Sequence, residues 1–333
     1  MTTLRHAIRY LDAADVLTAM PDLDERLALA ERTLTALVAN AELPAKIGVH
    51  PRPDGSFAHA MPAYLRGAGP SGGDDLVGIK WVAGYPGNGA HGLPAIHAVV
   101  VLNDAITGVP VAILDGGPIT AMRTAAVSGV AIARFAPPIG GRPPRAGLIG
   151  AGVQGRSHLA VLGRTLPGVR LAIFDRNAER AAALRDEAAG TLGIGSAEVA
   201  PEARAAVVDA DVVVTAASFG PVRQVMTNDW LAPDALVVPV DYATYCAAEV
   251  ARDAALFVVD HRDQFLDNRA AGLFEGYPDP AATIGETLLA ATARPAHGRV
   301  VAMHLGVGLA DVVFGSAILR RAETLGLGVL LGR

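Results

Sequence analysis

Arg145-Ala-Gly-Leu-Ile-Gly-Ala-Gly-Val-Gln-Gly-Arg156 is the stretch of the chain that decides its fold. Its apolar beginning, Ala146–Ile149, predicts a strand buried in a parallel sheet. Gly150, Gly152 and Gly155 follow with the G-x-G-x-x-G spacing of a dinucleotide-binding turn. In such a turn the first glycine permits a tight bend, the second lets the backbone approach a pyrophosphate, and the third lets the helix pack closely on the strand.

The residues after the turn support this interpretation. Apolar residues at helical spacing follow it, namely Val153, Leu159, Leu162 and Leu166. A second apolar run, Val169–Phe174, predicts a neighbouring strand and ends at Asp175, where a carboxylate would bind the ribose hydroxyls of NAD. The N-terminus of the predicted helix offers N–H groups and a partial positive charge to the phosphates. We therefore predict a dinucleotide site, with a glycine-rich turn of another α/β fold as the alternative.

Composition and charge narrow the class of protein. The chain has 333 residues, enough for two domains with their own cores. Its formal net charge is −5 and it contains no basic run, which argues against nucleic acid and membrane partners. The N-terminus lacks the apolar segment of a signal peptide, and no run of about 18 apolar residues occurs, so we expect a cytoplasmic protein.

The cysteine and histidine content gives two further expectations. The single cysteine, Cys246, excludes an internal disulfide and is typical of a reducing compartment. A buried small hydrophobe is favoured for it over a nucleophile. The chain shows no Cys/His spacing typical of zinc, so we expect no metal.

The first 135 residues predict a domain of a different kind. Residues 12–41 predict two helices, with Asp22 and Asp24 as capping residues. The predicted strands are Ile47–His50, Ser56–His59, Asp75–Val82, Ile96–Asn103 and Pro110–Asp115. A helix over Thr120–Phe135 and a linker rich in Pro and Gly, residues 137–144, lead into the nucleotide domain. We expect a mostly antiparallel sheet here.

Beyond Asp175 the alternation of strands and helices continues. Asn177 is a good N-cap for a helix through Ala189, and the next strands predicted are Val212–Ala216, Ala235–Val240 and Leu256–Asp260. The run Val300–Leu305 and a helix over Leu309–Thr324 are expected to return to the first domain. The predicted fold class is α/β: a Rossmann domain with a doubly wound parallel sheet over 126–299, plus an α+β domain built from both chain ends, 1–125 and 300–333.

Two basic residues outside the nucleotide domain lie in apolar segments. Lys80 lies within Gly78-Ile-Lys-Trp-Val82, and Arg123 lies within Ile119-Thr-Ala-Met-Arg-Thr-Ala-Ala126. On local sequence alone, each is equally well a surface cation whose stem covers apolar surface. Together with Met61-Pro-Ala-Tyr64, the glycine-rich turn and Leu305-Gly-Val-Gly-Leu-Ala-Asp311, these segments resemble the ornithine cyclodeaminase/mu-crystallin family over the whole chain. The specific part is Thr-Ala-x-Arg-Thr-Ala-Ala upstream of a Rossmann unit.

This resemblance implies a homodimer built through the first domain, which would also bind substrate, and a nicotinamide cofactor held across the two domains. It implies chemistry at the amino-bearing carbon of an amino acid, with Lys80 at the reacting centre, Arg123 on the substrate carboxylate and Thr124 on a cofactor phosphate. The expected cofactor-binding set is Arg123, Thr124, Gly150, Gly152, Val153, Gln154, Gly155, Asp175, Arg176, Thr215, Ala216 and Val240. The expected substrate-binding set is Lys46, Arg52, Met61, Lys80, Arg123 and His304.

Three positions depart from the family pattern. Lys46 stands where family cyclodeaminases carry an arginine, which gives up bidentate geometry. Asp241 is the candidate for the aspartate that positions the distal amine in cyclodeaminases, but the Pro-Gly that follows it there is missing, so a role as a strand-end cap is the alternative. His304 stands where the family has a small hydroxyl residue near the nicotinamide, and is a candidate substrate contact or proton relay.

Three functions remain open at this stage. The favoured one is an NAD(H)-dependent oxidoreductase acting on the C–N bond of a small amino or imino acid, with Lys80, Arg123 and Asp241 as candidate catalytic residues. The alternatives are ornithine or lysine cyclodeaminase and a crystallin-like NAD-bound ligand-binding protein. Lys46 and Arg52 are additional cations, which fits a dicarboxylic substrate such as aspartate/iminosuccinate or a glutamate-derived imine, and a monocarboxylate such as alanine stays open as the alternative.

The charge of Asp175 predicts NAD rather than NADP, because a 2′-phosphate beside it would meet a like charge. Arg176 and Arg180 are the counter-argument, since either could pair with that phosphate.

Overall fold

The computed structural model describes residues 7–67, 74–218 and 222–332. The chain forms two compact units: unit 1 is 1–123 with 306–333, and unit 2 is 124–305. The first boundary lies inside a helix rather than in the Pro/Gly-rich segment 137–144. No helix among the described residues is long and apolar enough to cross a membrane.

The first part of the chain belongs to unit 1. The strands of this segment are β1 (Ile8–Leu11), β2 (Ala41–Glu42), β3 (Ile47–Val49), β4 (Phe57–Leu65), β5 (Leu76–Gly84), β6 (Ile96–Asn103) and β7 (Pro110–Asp115). Its helices are α1 (Ala13–Thr18), α2 (Leu23–Ala39) and α3 (Gly116–Phe135), the last running on into unit 2. Asp22 caps α2 by accepting the Glu25 N–H, whereas Asp24 lies in its first turn.

Helix α3 begins four residues earlier than the sequence predicts. Gly116-Gly-Pro118 is typical of a turn, but a proline is tolerated in the first turn of a helix, where its missing N–H is not needed. The Asp115 carboxylate accepts the Gly117 N–H at 2.8 Å and so stabilises this start.

Unit 2 contains the Rossmann fold. Its strands are β8 (Arg145–Ile149), β9 (Val169–Phe174), β10 (Ile194–Val199), β11 (Val212–Thr215), β12 (Leu236–Pro239), β13 (Leu256–Val259), β14 (Ala282–Thr283) and β15 (Val300–Met303). Its helices are α4 (Val153–Thr165), α5 (Ala178–Ala189), α6 (Ala203–Val207), α7 (Ala248–Arg252), α8 (Arg262–Ala270) and α9 (Ile284–Leu289). Among the described residues the strand order is β10-β9-β8-β11-β12-β15-β13-β14, and every pairing is parallel.

This order confirms the doubly wound sheet, with β8 between β9 and β11 and the order reversing between β8 and β11. Strand β15 corrects one expectation, because residues 300–305 belong to unit 2 and β15 pairs with β12 and β13. The physical reason is that Val300-Val-Ala-Met303 is apolar on both faces and fully buried, as an interior strand of a parallel sheet requires.

The chain then returns to unit 1 through α10 (Gly308–Leu325) and β16 (Val329–Leu331). The described strands of unit 1 have the order β16-β1-β7-β6-β5-β4-β2, with β3 paired to β4, and all pairings except β1 with β7 are antiparallel. Helix α10 packs on β4, β5, β6 and α2. Residues 308–318 of α10 are all buried, so this helix is the core of the unit and carries Asp311 into it.

Candidate active site

A buried ion cluster lies in the core of unit 1. Lys80 of β5 and Arg123 of α3 converge on Asp311 of α10. The Lys80 Nζ lies 2.6 Å from Asp311 Oδ2, and the Arg123 Nε donates to Asp311 Oδ1 at 3.2 Å. Lys80 is 1% exposed, Arg123 5% and Asp311 0%, which excludes the alternative that the two cations lie on the surface. Two cations on one carboxylate leave this core with a net positive charge when all three are ionised.

The environment of Lys80 prepares it for proton transfer. Burial, reinforced by the nearby Arg123 guanidinium, lowers its pKa from 10.5 to about 7, and Asp311 opposes this shift. An amine with a pKa near neutrality can both give and take a proton at physiological pH.

The inner face of the unit 1 sheet adds basic groups around Lys80. Met61 of β4 is the register partner of Lys80 and is buried beside it. His59 lies two residues before Met61 on the same face, and its ring lies over Gly48, where a Cβ would come within 2.8 Å of it. Burial, followed by the charges of Lys46, His50 and Lys80, lowers the pKa of His59 to about 4. Lys46 also lowers the pKa of Lys80, which places it in the same electrostatic environment.

Arg52 is not brought to this cluster. It lies exposed in the turn between β3 and β4. The Nη end of Arg123 is bordered by Gly306, where a Cβ would lie 2.7 Å from Nη1. Gly306 has a φ of 76°, a conformation that favours glycine. The space beside the Arg123 guanidinium therefore depends on position 306 being a glycine.

The glycine-rich turn of unit 2 has the geometry of a dinucleotide cradle. Gly150 has a φ of 105°, and a Cβ on it would clash with the Ala216 carbonyl. A Cβ on Gly155 would clash with the Gly150 carbonyl, whereas Gly152 faces open space. Gly152 is the N-cap of α4 and makes no side-chain cap, so the first N–H groups of that helix are available to phosphate. Gln154 Oε1 is buried with no hydrogen-bond partner among the described residues, which a bound ligand could supply.

A cleft of about 330 Å³ follows the carboxyl ends of β8, β9 and β11. Asp175 lines it and accepts the N–H groups of Ala151 at 2.7 Å and Asn177 at 2.8 Å. Arg176 and Arg180 line the same cleft. These residues fit an adenosine ribose at Asp175 and a pyrophosphate at the turn.

Other predicted cofactor residues occupy the same edge of the sheet. The Ala216 N–H donates to the Ile149 carbonyl at 2.7 Å, and the Val240 N–H donates to the Thr215 carbonyl at 2.8 Å, so the ends of β8, β11 and β12 are joined. Val153 is 64% exposed at the start of α4. Thr124 is buried in α3 directly after Arg123.

Asp241 is buried at the end of β12, and burial raises its pKa to about 7. Its Oδ1 accepts the Thr215 hydroxyl at 2.6 Å and its Oδ2 accepts the Ala217 N–H at 3.1 Å. Each carboxylate oxygen therefore already holds a hydrogen bond that ties β12 to β11. This geometry favours the strand-end role over positioning of a substrate amine.

His304 lies directly after β15 and is 2% exposed. Its Nε2 lies 2.8 Å from Ser128 Oγ, which lies 2.8 Å from His158 Nε2. Cys246 is fully buried, and burial raises the pKa of its thiol to about 12, as expected of a structural cysteine.

Sequence reasoning did not assign roles to Asp311, His59, Ser128 or His158. One signal for Asp311 was present, because it is an isolated acid in a helix that is otherwise apolar around it. The lysines give a second signal for this part of unit 1. Of the 28 Lys and Arg residues only two are lysines, Lys46 and Lys80, and both lie near the ion cluster.

Comparison with known proteins shows which family the chain resembles. The model of the ornithine cyclodeaminase/mu-crystallin family matches residues 12–273. The nodulation efficiency protein NfeD of Rhizobium meliloti is 32% identical over 97% of this chain and 98% of its own, and the ketimine reductase mu-crystallin of Mus musculus is 30% identical over 77% and 78%. The structure of Thermococcus litoralis Delta(1)-pyrroline-2-carboxylate reductase in complex with NADH and L-proline has a TM-score of 0.82 at 24% identity, covering 97% of this chain and 99% of its own. This chain therefore belongs to the ornithine cyclodeaminase/mu-crystallin family.

Proposed function

We propose that this protein is an NAD(H)-dependent oxidoreductase that reduces the C=N bond of a small imino acid, or oxidises the matching amino acid. The observation that carries this proposal is the buried Lys80–Asp311–Arg123 cluster, in a chain that also has a dinucleotide cradle at Gly150–Gly155. The relative described as a ketimine reductase supports it.

Each residue of the cluster has a role in this reaction. The planar guanidinium of Arg123 suits a substrate carboxylate, and Asp311 holds its Nε side in place. Lys80, with a pKa of about 7, gives a proton to the imine nitrogen in reduction and takes it back in oxidation. When bound, reduced NAD supplies the hydride that adds to the imine carbon.

The substrate that we favour carries a second carboxylate. Lys46, His50 and His59 are further basic groups near the cluster. Asp311 is the one acid among the groups that affect the pKa of Lys80 and of His59. A distal carboxylate would be attracted by the charge of Lys46 and can accept a hydrogen bond from the neutral His59 ring, whereas the distal ammonium of ornithine would be repelled by Lys46. The hydrogen bonds already made by both oxygens of Asp241 also weigh against cyclodeaminase.

The test is a substrate panel that reads NADH and ammonia together. Aspartate, glutamate, alanine, ornithine and lysine are assayed with NAD, and the matching keto acids with ammonia and NADH. We expect net NADH change, fastest with aspartate/iminosuccinate or the glutamate pair. Alanine turning over fastest would contradict the dicarboxylate, and ornithine releasing ammonia without net NADH would contradict the oxidoreductase as well.

NAD is expected to bind at least about tenfold more tightly than NADP. A 2′-phosphate about 4 Å from the Asp175 carboxylate costs about 4 kcal/mol at an effective dielectric of 20, and Arg176 and Arg180 offset part of this. Asp175→Asn should remove most of the preference, while Asp186→Asn, an exposed acid on α5, should not. Fluorescence titration with NADH and NADPH measures both affinities, and equal affinities in the unaltered protein would contradict the prediction.

Arg123→Lys is expected to raise KM for the amino acid by about ten- to a hundredfold, because the charge remains while the bidentate fork is lost. NADH affinity should change little. Arg321→Lys, in an exposed ion pair with Glu25, is the matched control. Steady-state kinetics that match the unaltered enzyme would show that Arg123 does not anchor the carboxylate.

We also propose that the protein is a homodimer formed through the outer face of the unit 1 sheet. Trp81, 45% exposed, pairs with Val99 and Ala60, and Ala60 pairs with Ile47, so an apolar row crosses β6, β5, β4 and β3.

Trp81→Glu is expected to convert the dimer to a monomer, because it places a charge in the centre of the apolar row. Light scattering after gel filtration should change from twice 34.1 kDa to 34.1 kDa. Leu192→Glu, at a 94% exposed position of unit 2, is the control and should leave the mass unchanged. A dimeric Trp81→Glu variant would place the interface elsewhere.

A further inference from the structure

Tyr245 lines the cleft at the glycine-rich turn, although the sequence gave no reason to include it among the cofactor-binding residues. Its side chain is half-buried, and its ring packs in part against the apolar core of unit 2. Burial raises the pKa of Tyr245, and the charges of Asp241, Arg176 and Asp175 also act on its hydroxyl. The ring therefore lies between the core and the charged groups of the cleft, with its polar end toward those groups.

The backbone of Tyr245 is held on both sides. Its carbonyl accepts the Met226 N–H at 2.7 Å, and Met226 forms a β-bridge with the next residue, Cys246. Its N–H donates to the buried carboxylate of Asp241, which also accepts the Ala217 N–H at 3.1 Å. Ala217 lines the same cleft. Because Asp241 joins two lining residues, this wall of the cleft is formed before a ligand binds.

A turn with a left-handed residue leads the chain to this wall. The Thr244 N–H donates to the Asp241 carbonyl at 3.1 Å and closes the turn, whose second residue, Tyr242, has a φ of 58°. Few residues other than glycine adopt this conformation. The Tyr242 hydroxyl donates to the Leu305 carbonyl at 2.8 Å and helps to hold it. Strained backbone of this kind is concentrated at binding sites, and here it directly precedes the lining residue.

The other residues of the cleft indicate which part of the cofactor Tyr245 faces. Asp175, at the end of β9, is the expected contact of the adenosine ribose, and Arg176 follows it. Both charges act on the Tyr245 hydroxyl, so the ring lies beside the place of the adenosine. Every nucleobase has a flat π-face, and aromatic side chains bind such faces by stacking.

We propose that the ring of Tyr245 is the platform on which the adenine of NAD stacks, so that Tyr245 sets the affinity for the adenosine half of the cofactor. This rests on the cofactor-binding part of the proposed function. Phe174 is the alternative platform, because it is the other aromatic side chain that lines the cleft among the described residues. Tyr245 is favoured because its hydroxyl lies near both charged groups that flank the adenosine.

The test is calorimetric titration with ADP-ribose, which contains adenine but no nicotinamide, and with NADH. Tyr245→Leu should weaken binding of both ligands by about tenfold, since the stacking surface is lost. Tyr245→Phe, which keeps the ring, should restore most of this affinity. Trp230→Leu is the matched control, because it removes a partly buried aromatic ring of unit 2 that does not line the cleft, and both affinities should stay unchanged.

A second measurement uses the unaltered protein and so does not depend on how a variant folds. In protein whose tyrosines alone carry protons, we expect nuclear Overhauser effects between the adenine protons of bound ADP-ribose and the Tyr245 ring. The signals are assigned by their loss in Tyr245→Phe. Bound ADP-ribose without such an effect would overturn the inference.

The titrations can also overturn it. Unchanged ADP-ribose affinity in Tyr245→Leu would do so, and an equal loss in Tyr245→Phe would assign the contact to the hydroxyl instead of the ring. A larger loss for Phe174→Leu than for Tyr245→Leu would place the platform on β9. A protein that binds ADP-ribose as expected but reduces no imine contradicts the proposed function alone, so the two failures are distinguishable.

Discussion

Lys80→Met is expected to lower kcat for imine reduction about a thousandfold while the fold and NADH affinity are retained. Methionine is unbranched and apolar, so it fills a position that is 1% exposed without adding a charge. Asp311 keeps its contact with Arg123 in this variant, so no buried carboxylate is left without a cation. Single-turnover kinetics measure the loss of rate, thermal unfolding tests the fold, and fluorescence titration measures NADH affinity.

The rates of reduction and oxidation should depend on pH in opposite directions. Because burial lowers the pKa of Lys80 to about 7, reduction, which needs the protonated amine, should fall as pH rises through about 7. Oxidation, which needs the neutral amine, should rise over the same range. Since the chain contains two lysines, Lys46 and Lys80, NMR of ¹³C-lysine-labelled protein can assign this pKa directly.

Lys80→Arg is the matched control, because a guanidinium keeps the charge but stays protonated. The transition near pH 7 should be lost from its profile. If Lys80→Met keeps at least a tenth of the kcat of the unaltered enzyme, Lys80 does not carry the proton, and the proposed mechanism is wrong at this step.

The nucleotide fold was predictable because its determinants are local. The turn at Gly150–Gly155, its flanking strands and Asp175 lie within one short segment, and each obeys a rule of backbone sterics or charge. Helix boundaries set by side-chain caps were also predictable, as at Asn177, which accepts the Arg180 N–H at 2.9 Å.

The pairing inside the candidate site was not predictable in the same way. Asp311 meets Lys80 and Arg123 from 231 and 188 positions away, and the apolar periodicity of α10 does not tell which residue its acid will meet. The hydrogen-bonding contacts of His158 with Gln154 and Ser128, and of Ser128 with His304, likewise join α4, α3 and the end of β15. They are a property of tertiary packing. Motifs identify such residues singly, and the fold decides which of them share a proton or a charge.

Asp311→Asn is expected to lower the free energy of unfolding by about 3–5 kcal/mol, because it leaves two buried cations without their carboxylate. The loss should be larger at pH 6 than at pH 9. At pH 6 the unaltered protein keeps Lys80 protonated beside Asp311, so the variant must either bury that charge unpaired or release its proton on folding. At pH 9 Lys80 is neutral in both proteins, and the variant leaves Arg123 alone uncompensated.

Urea unfolding at the two pH values measures this difference, and Glu25→Gln is the matched control. Glu25 pairs with Arg321 of the same helix as Asp311, but at 3.3 Å and with both side chains more than 40% exposed, so its loss should be within about 1 kcal/mol at either pH. Adding Lys80→Met to Asp311→Asn should recover part of the stability at pH 6, because it removes one of the unpaired charges. A loss for Asp311→Asn as small as that for Glu25→Gln, or one that does not depend on pH, would mean that Lys80 is not held by Asp311 in the folded protein, and the charge assignment of the candidate site would fail with it.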